Sequence, residues 1–206
     1  LTEVKFCGNR TERDIAFVNE ARPDYAGFIM TPGFGRSVGA GTAEKLASEV
    51  DGSILRVGVF VDDDPERIAD VLNEGTIDIA QLHGNEGEDY IDHLRGLTDG
   101  LIIKCFRPMT QQDVSEALKT NADIIMFDAG KGSGRTFDWS VLQDADREYF
   151  LAGGLTADNV GEAVRRLRPF AVDTSSGTET DGKKDLEKMK RFMAAVEEAD
   201  AEIDDQ

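Results

Sequence analysis

The chain is poor in cations, sulfur and imidazole: its 206 residues hold 23 Lys and Arg against 41 Asp and Glu, with two Cys, two His and one Trp. Each scarcity excludes something. A formal net charge of -18 repels nucleic acid, whose binding depends on cationic side chains displacing counterions. No apolar run approaches the roughly 20 residues needed to span a bilayer, so membrane insertion is not expected. Cys7 and Cys105 form no metal-ligand spacing, and two histidines leave little for a histidine-ligated metal. The first residues lack the basic-then-apolar layout of a signal peptide, which predicts a cytoplasmic protein.

What is present suits a soluble globular chain. A hydrophobic content of 40% supplies a sizeable core for one domain or at most two small ones. The acid excess is spread along the chain, Asp is abundant, and 9 Lys stand beside 14 Arg. That pattern predicts adaptation to concentrated salt, since a screening length of about 10 Å at 0.1 M leaves so high a charge costly. An ordinary acidic surface is the alternative.

Eight β-branched, apolar segments are predicted as strands: 4–7, 25–30, 54–61, 77–82, 101–106, 124–127, 149–152 and 171–173. Most are apolar on successive residues, as in Val57-Gly-Val-Phe-Val61, the pattern of strands buried on both faces in a parallel sheet. Helical stripes lie between them. Ile68, Val71 and Leu72 form one, Val160, Ala163, Val164 and Leu167 another, and Leu186, Met189, Met193 and Val196 the last. Asp64-Pro65 opens the third helix, and Thr156 or Asp158 is predicted to cap the seventh. Residues 130–141 carry no helical stripe and are predicted as a loop with one turn around Trp139.

Eight strand-and-helix units in this length leave about 26 residues each, near the minimum for a βα repeat. The economical closure is a single (β/α)₈ barrel over residues 1–206, with an acidic tail predicted to fray after Ala199. A doubly wound open sheet is the alternative, but Cys7-Gly8-Asn9-Arg10 is not the glycine-rich dinucleotide turn such a sheet carries after its first strand.

In a parallel barrel the strand C-terminal ends share one rim, where substrate sites form. That rim is predicted to carry Cys7, Arg36, Gln81, His83, Arg107 and Asp128. It continues with Gly153-Gly154 after strand seven and Ser175-Ser176-Gly177 after strand eight. Glycines let backbone N–H groups approach an anion and serines add donors, so these last two loops predict a phosphate cradle. Tight turns alone are the plainer explanation. Cys7 and Asp128 end strands on different sides of the barrel, where a substrate could sit between thiol and carboxyl. A buried small hydrophobe and a turn former are the competing readings of the two residues.

Val4-Lys-Phe-Cys-Gly8, Ala26-Gly-Phe28, Val57-Gly-Val-Phe-Val61, Ala80-Gln-Leu-His-Gly84, Phe127-Asp128, Gly132-Ser-Gly-Arg-Thr-Phe-Asp-Trp139, Leu151-Ala-Gly-Gly-Leu155 and Asp173-Thr-Ser-Ser-Gly-Thr-Glu179 occur in this order nearly end to end. In these segments the chain resembles the phosphoribosylanthranilate isomerase family. The resemblance implies a cofactor-free, metal-free (β/α)₈ barrel of tryptophan biosynthesis, acting on N-(5-phosphoribosyl)anthranilate in an Amadori rearrangement. It implies Asp128 as general acid to the furanose ring oxygen and Cys7 as general base at C2. It also implies Arg36 on the anthranilate carboxylate, where a guanidinium fork matches the anion. Gly35 before Arg36, and Asn9-Arg10 after Cys7-Gly8, depart from the usual family form.

The phosphate is expected on Gly153, Gly154, Ser176 and Gly177 with Ser175 as hydroxyl donor, and Gly132 and Gly134 as a flap or further anion contact. Lys5 shares a strand face with Cys7, and burial against Phe127 is expected to raise the pKa of Asp128. Asp173 is read as orienting its strand, His83 as structural, and Cys105 as core packing. Another sugar-phosphate isomerase or epimerase would share the phosphate loops without needing Cys7 with Asp128. A silent phosphate-ligand binder would have lost one of that pair. The expected partners are a phosphorylated small molecule and either no second copy or one.

Overall fold

A computed structural model describes residues 1–128, 138–143 and 145–204. Eight strands, β1 (Glu3–Phe6), β2 (Tyr25–Ile29), β3 (Leu55–Phe60), β4 (Ile79–Leu82), β5 (Leu101–Phe106), β6 (Ile124–Asp128), β7 (Tyr149–Ala152) and β8 (Ala171–Thr174), pair in chain order as a closed parallel barrel. Among the described residues the helices are α1 (Glu12–Ala21), α2 (Ala40–Ser48), α3 (Pro65–Asn73), α4 (Glu88–Arg95), α5 (Gln111–Ala117), α6 (Val160–Leu167) and α7 (Leu186–Asp204). A 3₁₀ turn at Trp139–Leu142 stands between β6 and β7, where the sequence predicts one turn. A second spans Ser176–Thr178 and leads into a small hairpin, β9 (Glu179–Thr180) and β10 (Lys183–Lys184). Among the described residues no helix is long and apolar enough to cross a membrane.

The two-residue period of a strand sorts its side chains into two cores. Tyr25, Val57, Ile79, Ile103, Cys105, Met126, Phe150 and Ala171 fill the barrel interior, and the Tyr25 and Phe150 rings meet edge-on at 5.1 Å. Their neighbours Val4, Phe6, Ala26, Phe28, Phe60, Leu82, Ile125 and Phe127 face the helices. Successive residues are therefore buried on opposite faces, which is why these strands do not alternate apolar with polar.

Local signals set the crossovers. Thr11 and Asp14 close a capping box at the start of α1, and Thr110 with Asp113 do the same for α5. Asp64 caps α3 with Pro65 in its first turn, as its sequence predicts. The cap of α6 differs from expectation: Asn159 holds that position, and its Oδ1 accepts from the Thr156 N–H at 2.8 Å, closing the preceding turn instead of the helix.

The acidic tail also departs from prediction. Rather than fraying after Ala199, α7 continues through Asp204. Asp200 is buried because its carboxylate accepts from the Thr2 backbone N–H at 2.6 Å and from the Thr2 hydroxyl at 2.8 Å, while Glu202 pairs with Arg165 at 2.5 Å. Asp200 is thus a buried partner of the barrel's first residues, while Glu202 remains an exposed surface ion pair. Phe192, outside the predicted stripe, is fully buried against Phe6.

Candidate active site

Barrel closure settles what surrounds Cys7. Pairing of β1 with β8 places Lys5 opposite Asp173, both on the interior face. Their side chains form an ion pair at 2.6 Å, with Lys5 completely buried. The pair lies beneath Cys7, two residues further up the same face. Gly27 on β2 makes room for the thiol, because a Cβ there would stand 2.8 Å from Cys7 Sγ. Gly8 follows with φ +78, and Asn9 anchors the turn by donating from Nδ2 to the carbonyls of Phe6 and Gly27 at 2.8 and 3.1 Å. The unfamiliar Asn9 thus holds the thiol-bearing turn.

Burial pushes the Cys7 thiol above its ordinary pKa; Lys5 pulls it down, Asp173 adds to the rise, and Lys184 pulls it down again. Lys5 itself is raised: burial alone would lower it, but Asp173 and Cys7 outweigh that cost. The result is a neutral thiol beside a fixed ammonium.

Asp128, the last residue of β6, reaches the same cavity, of about 350 Å³, which Cys7, Arg36, His83, Gly154 and Ser175 also line. Phe127 does not bury Asp128 as the sequence reading supposes. It faces the opposite way and packs edge-on against Tyr149 at 5.2 Å in the outer core. The neighbours of Asp128 are polar: His83 Nε2 lies 3.2 Å from Oδ2, and Arg107 Nε 3.8 Å from the same oxygen. His83 in turn meets Gln81 Nε2 through Nδ1 at 2.8 Å. His83, read as structural from sequence, therefore touches the carboxyl group; its i, i+2 spacing from Gln81 on one strand face was the available signal.

The loops after β7 and β8 meet as one surface. Gly153 and Gly154 have φ +100 and +70, a left-handed backbone that favours glycine. At Gly177 a Cβ would fall 2.0 Å from the Leu155 carbonyl oxygen, so only glycine permits the loops to approach this closely. Thr174 Oγ1 donates to that same oxygen at 2.8 Å. Ser175 Oγ is buried with no hydrogen-bond partner among the described residues, an orphan donor at the cavity wall. Gly153, Gly154, Ser175 and Ser176 line the cavity, and Gly177 packs behind them. Gly132 and Gly134 lie outside the described residues.

Arg36 reaches the cavity from the loop after β2, but its fork is already engaged: Nε and Nη2 each donate to Glu179 at 2.7 Å. Burial alone would raise Glu179, yet the Arg36 hydrogen bonds and Lys184 together hold it below the usual carboxylate range. Lys184 is buried on β10 and donates to the Cys7 and Ser175 carbonyls at 2.7 and 2.9 Å. Burial lowers its pKa against the pull of Glu179 and Cys7. Sequence reasoning missed Glu179 and Lys184. Through them, three parts of the rim far apart in sequence are tied together.

A largely apolar cavity at the C-terminal rim of a closed parallel barrel, with titratable groups converging on it from several strands, defines a (β/α)₈-barrel enzyme. Residues 4–195 match the family model described as N-(5'phosphoribosyl)anthranilate (PRA) isomerase. The chain is 42% identical over 194 residues to the N-(5'-phosphoribosyl)anthranilate isomerase of Endomicrobium trichonymphae, covering 92% of this chain and 95% of that relative. The crystal structure of phosphoribosyl anthranilate isomerase from Thermotoga maritima has a TM-score of 0.87 at 34% identity, covering 96% of this chain and 100% of the other. A phosphoribosyl anthranilate isomerase solved with reduced 1-(o-carboxyphenylamino)-1-deoxyribulose 5-phosphate has a TM-score of 0.85, again at 34% identity with 96% and 100% coverage. The chain belongs to the N-(5'-phosphoribosyl)anthranilate isomerase family.

Proposed function

We propose that the chain isomerises N-(5-phosphoribosyl)anthranilate to 1-(2-carboxyphenylamino)-1-deoxyribulose 5-phosphate, an aldose-to-ketose step of tryptophan biosynthesis, with Asp128 as acid and Cys7 as base. The observation that carries the assignment is the shared cavity, which a thiol and a carboxyl group enter from non-adjacent strands β1 and β6. Asp128 protonates the furanose ring oxygen, and the anthranilate nitrogen pushes the ring open to an iminium. Cys7 as thiolate removes the proton from C2, giving an enolamine that tautomerises to the ketose. One turnover leaves the thiol protonated and the carboxyl ionised, so solvent returns the proton between them.

Thiolate formation is the demanding step, because burial raises Cys7. The iminium places a cation in the same cavity and acts in the same direction as Lys5, favouring the thiolate when it is needed. The phosphate rests on the amides of Gly154, Ser176 and Gly177, with Ser175 Oγ gaining the partner it lacks. The Glu179 pairing occupies Nε and Nη2 of Arg36, so the substrate carboxylate meets the guanidinium through Nη1. These cations offset, at close range, the repulsion between a chain of net charge -18 and an anionic substrate. We also propose that the acid excess is an adaptation to concentrated salt.

Anthranilate fluorescence tests the activity. Purified protein should quench the substrate's fluorescence without added metal or cofactor, and the product should carry a ketose. A protein that binds the substrate without any decay of the signal would be a silent binder, and the proposal would fail.

A further inference from the structure

Below the rim, Cys105 adds a soft donor to the His83 and Asp128 pair. Its Sγ lies on the interior face of β5, 3.8 Å from His83 Nε2, while His83 Nε2 is 3.2 Å from Asp128 Oδ2. The three donor atoms all lie within 4.8 Å of one another. A tetrahedral zinc ion, with bonds of about 2.0–2.1 Å to nitrogen and oxygen and about 2.3 Å to sulfur, needs N···O and N···S edges of roughly 3.3 and 3.6 Å. The two observed edges match these within a few tenths of an ångström. His83 and Asp128 line the cavity and Cys105 lies in the barrel interior beneath them, so the fourth tetrahedral position faces the cavity and falls to water, the arrangement of an open zinc site.

We infer that His83, Cys105 and Asp128 form an inhibitory site for a thiophilic divalent cation, zinc above all, inside the cavity. The inference about inhibition rests on Asp128 being the general acid. A cation bound to Oδ2 takes the oxygen that would carry the proton, so occupancy stops ring opening while leaving the phosphate loops intact. Imidazole, thiolate and carboxylate together select zinc or cobalt(II) over magnesium or calcium, which prefer all-oxygen shells.

Binding releases the Cys105 thiol proton to solvent, a cost that burial enlarges and the metal–sulfur bond offsets. The imidazole must present its Nε2 lone pair, so its remaining proton sits on Nδ1. Gln81 can receive it: its Oε1 is buried with no partner, and turning the amide by 180° brings that oxygen to the position now held by Nε2, 2.8 Å from Nδ1. Such an outer hydrogen bond fixes the tautomer of a metal-bound histidine. Arg107, exposed and 3.8 Å from Asp128 Oδ2, competes with the cation and swings into solvent when it binds.

The experiment titrates ZnCl₂ into the fluorescence assay and CoCl₂ into the protein without substrate, for the wild type and for Cys105→Ser, Cys105→Ala and Cys7→Ser. Cys105 takes no part in the proposed chemistry, so its variants should keep wild-type turnover in metal-free buffer, which also reports that they fold. The expected results are zinc inhibition reversed by EDTA, an inhibitory concentration at least about tenfold higher in both Cys105 variants, and a thiolate-to-cobalt charge-transfer band that is present in Cys7→Ser and lost without Cys105. Equal zinc sensitivity in the Cys105 variants, or a cobalt band that follows Cys7, would overturn the site. If the wild type had no isomerase activity, the functional reading would fall, and the cobalt band alone would decide whether the site exists.

Discussion

Replacing Lys5 by methionine separates what the buried ammonium does for the fold from what it does for the thiol. The Lys5–Asp173 pair spans 2.6 Å with Lys5 fully buried. Removing one partner of such a pair typically costs about 3–5 kcal/mol, because the other charge is left stranded. For a domain of this size, each kcal/mol lowers Tm by roughly 2–4 °C, so Lys5→Met should melt about 6–20 °C below the wild type. The folded pKa of Lys5 is raised; its stabilisation is therefore complete below the unfolded value of about 10.4 and is lost only as pH climbs beyond it. The deficit should be constant between roughly pH 6 and 9.

The effect on Cys7 has its own sign. Lys5 lowers the thiol and Asp173 raises it, so the variant loses a thiolate-favouring cation and keeps the opposing carboxylate. The limb of kcat/KM that rises with deprotonation of the base should move to higher pH, and activity at pH 7 should fall while KM stays nearly constant. A double variant, Lys5→Met with Asp173→Leu, should recover much of the stability, since well-packed apolar pairs often replace buried ion pairs at little cost. It should not recover the Lys5 contribution to the thiolate. Circular-dichroism melting and pH-resolved fluorescence kinetics read the two effects independently. An unmoved pH limb in Lys5→Met would refute the claim that this ammonium tunes the base.

Three further outcomes follow from neighbouring geometry. Gly27→Ala places a methyl 2.8 Å from Cys7 Sγ and 3.1 Å from its Cα; it should cost about 1–3 kcal/mol in denaturant melts and lower kcat more than it raises KM. Glu179→Gln removes the carboxylate that orients Arg36 and neutralises Lys184, so KM should rise about tenfold with kcat changed only a few-fold, as steady-state kinetics would report; a pure kcat effect would contradict the assigned role. Molar KCl should raise Tm relative to dilute buffer if the net charge of -18 is a high-salt adaptation, and equal melting in both would remove that idea.

The barrel was legible because its strands are apolar on consecutive residues and their ends carry the polar groups. β5 and β7 have the predicted bounds, and the others differ by one or two residues at their ends. The single turn at Trp139 and the pairing of glycine-rich loops were also readable, since both depend on local composition. What escaped depends on closure. Lys5 was known to share a face with Cys7, but Asp173 becomes its partner only when β8 closes on β1. Glu179 and Arg36 are 143 residues apart, and no local pattern pairs them. The contact of His83 with Asp128 escaped because it crosses β5, although the spacing of His83 from Gln81 already put both on the rim. The tail looked solvated because acidic residues usually are, whereas Asp200 has a specific partner in Thr2.

Single-turnover fluorescence decay in Cys7→Ala and Asp128→Ala, paired with calorimetric binding of the reduced product analogue, tests the central assignment most directly. Each variant should lose at least about a hundredfold in rate, the contribution of a positioned acid or base, and should bind the analogue within a few-fold of the wild type. Near-normal turnover in either one, or a rate loss fully matched by lost binding, would contradict it.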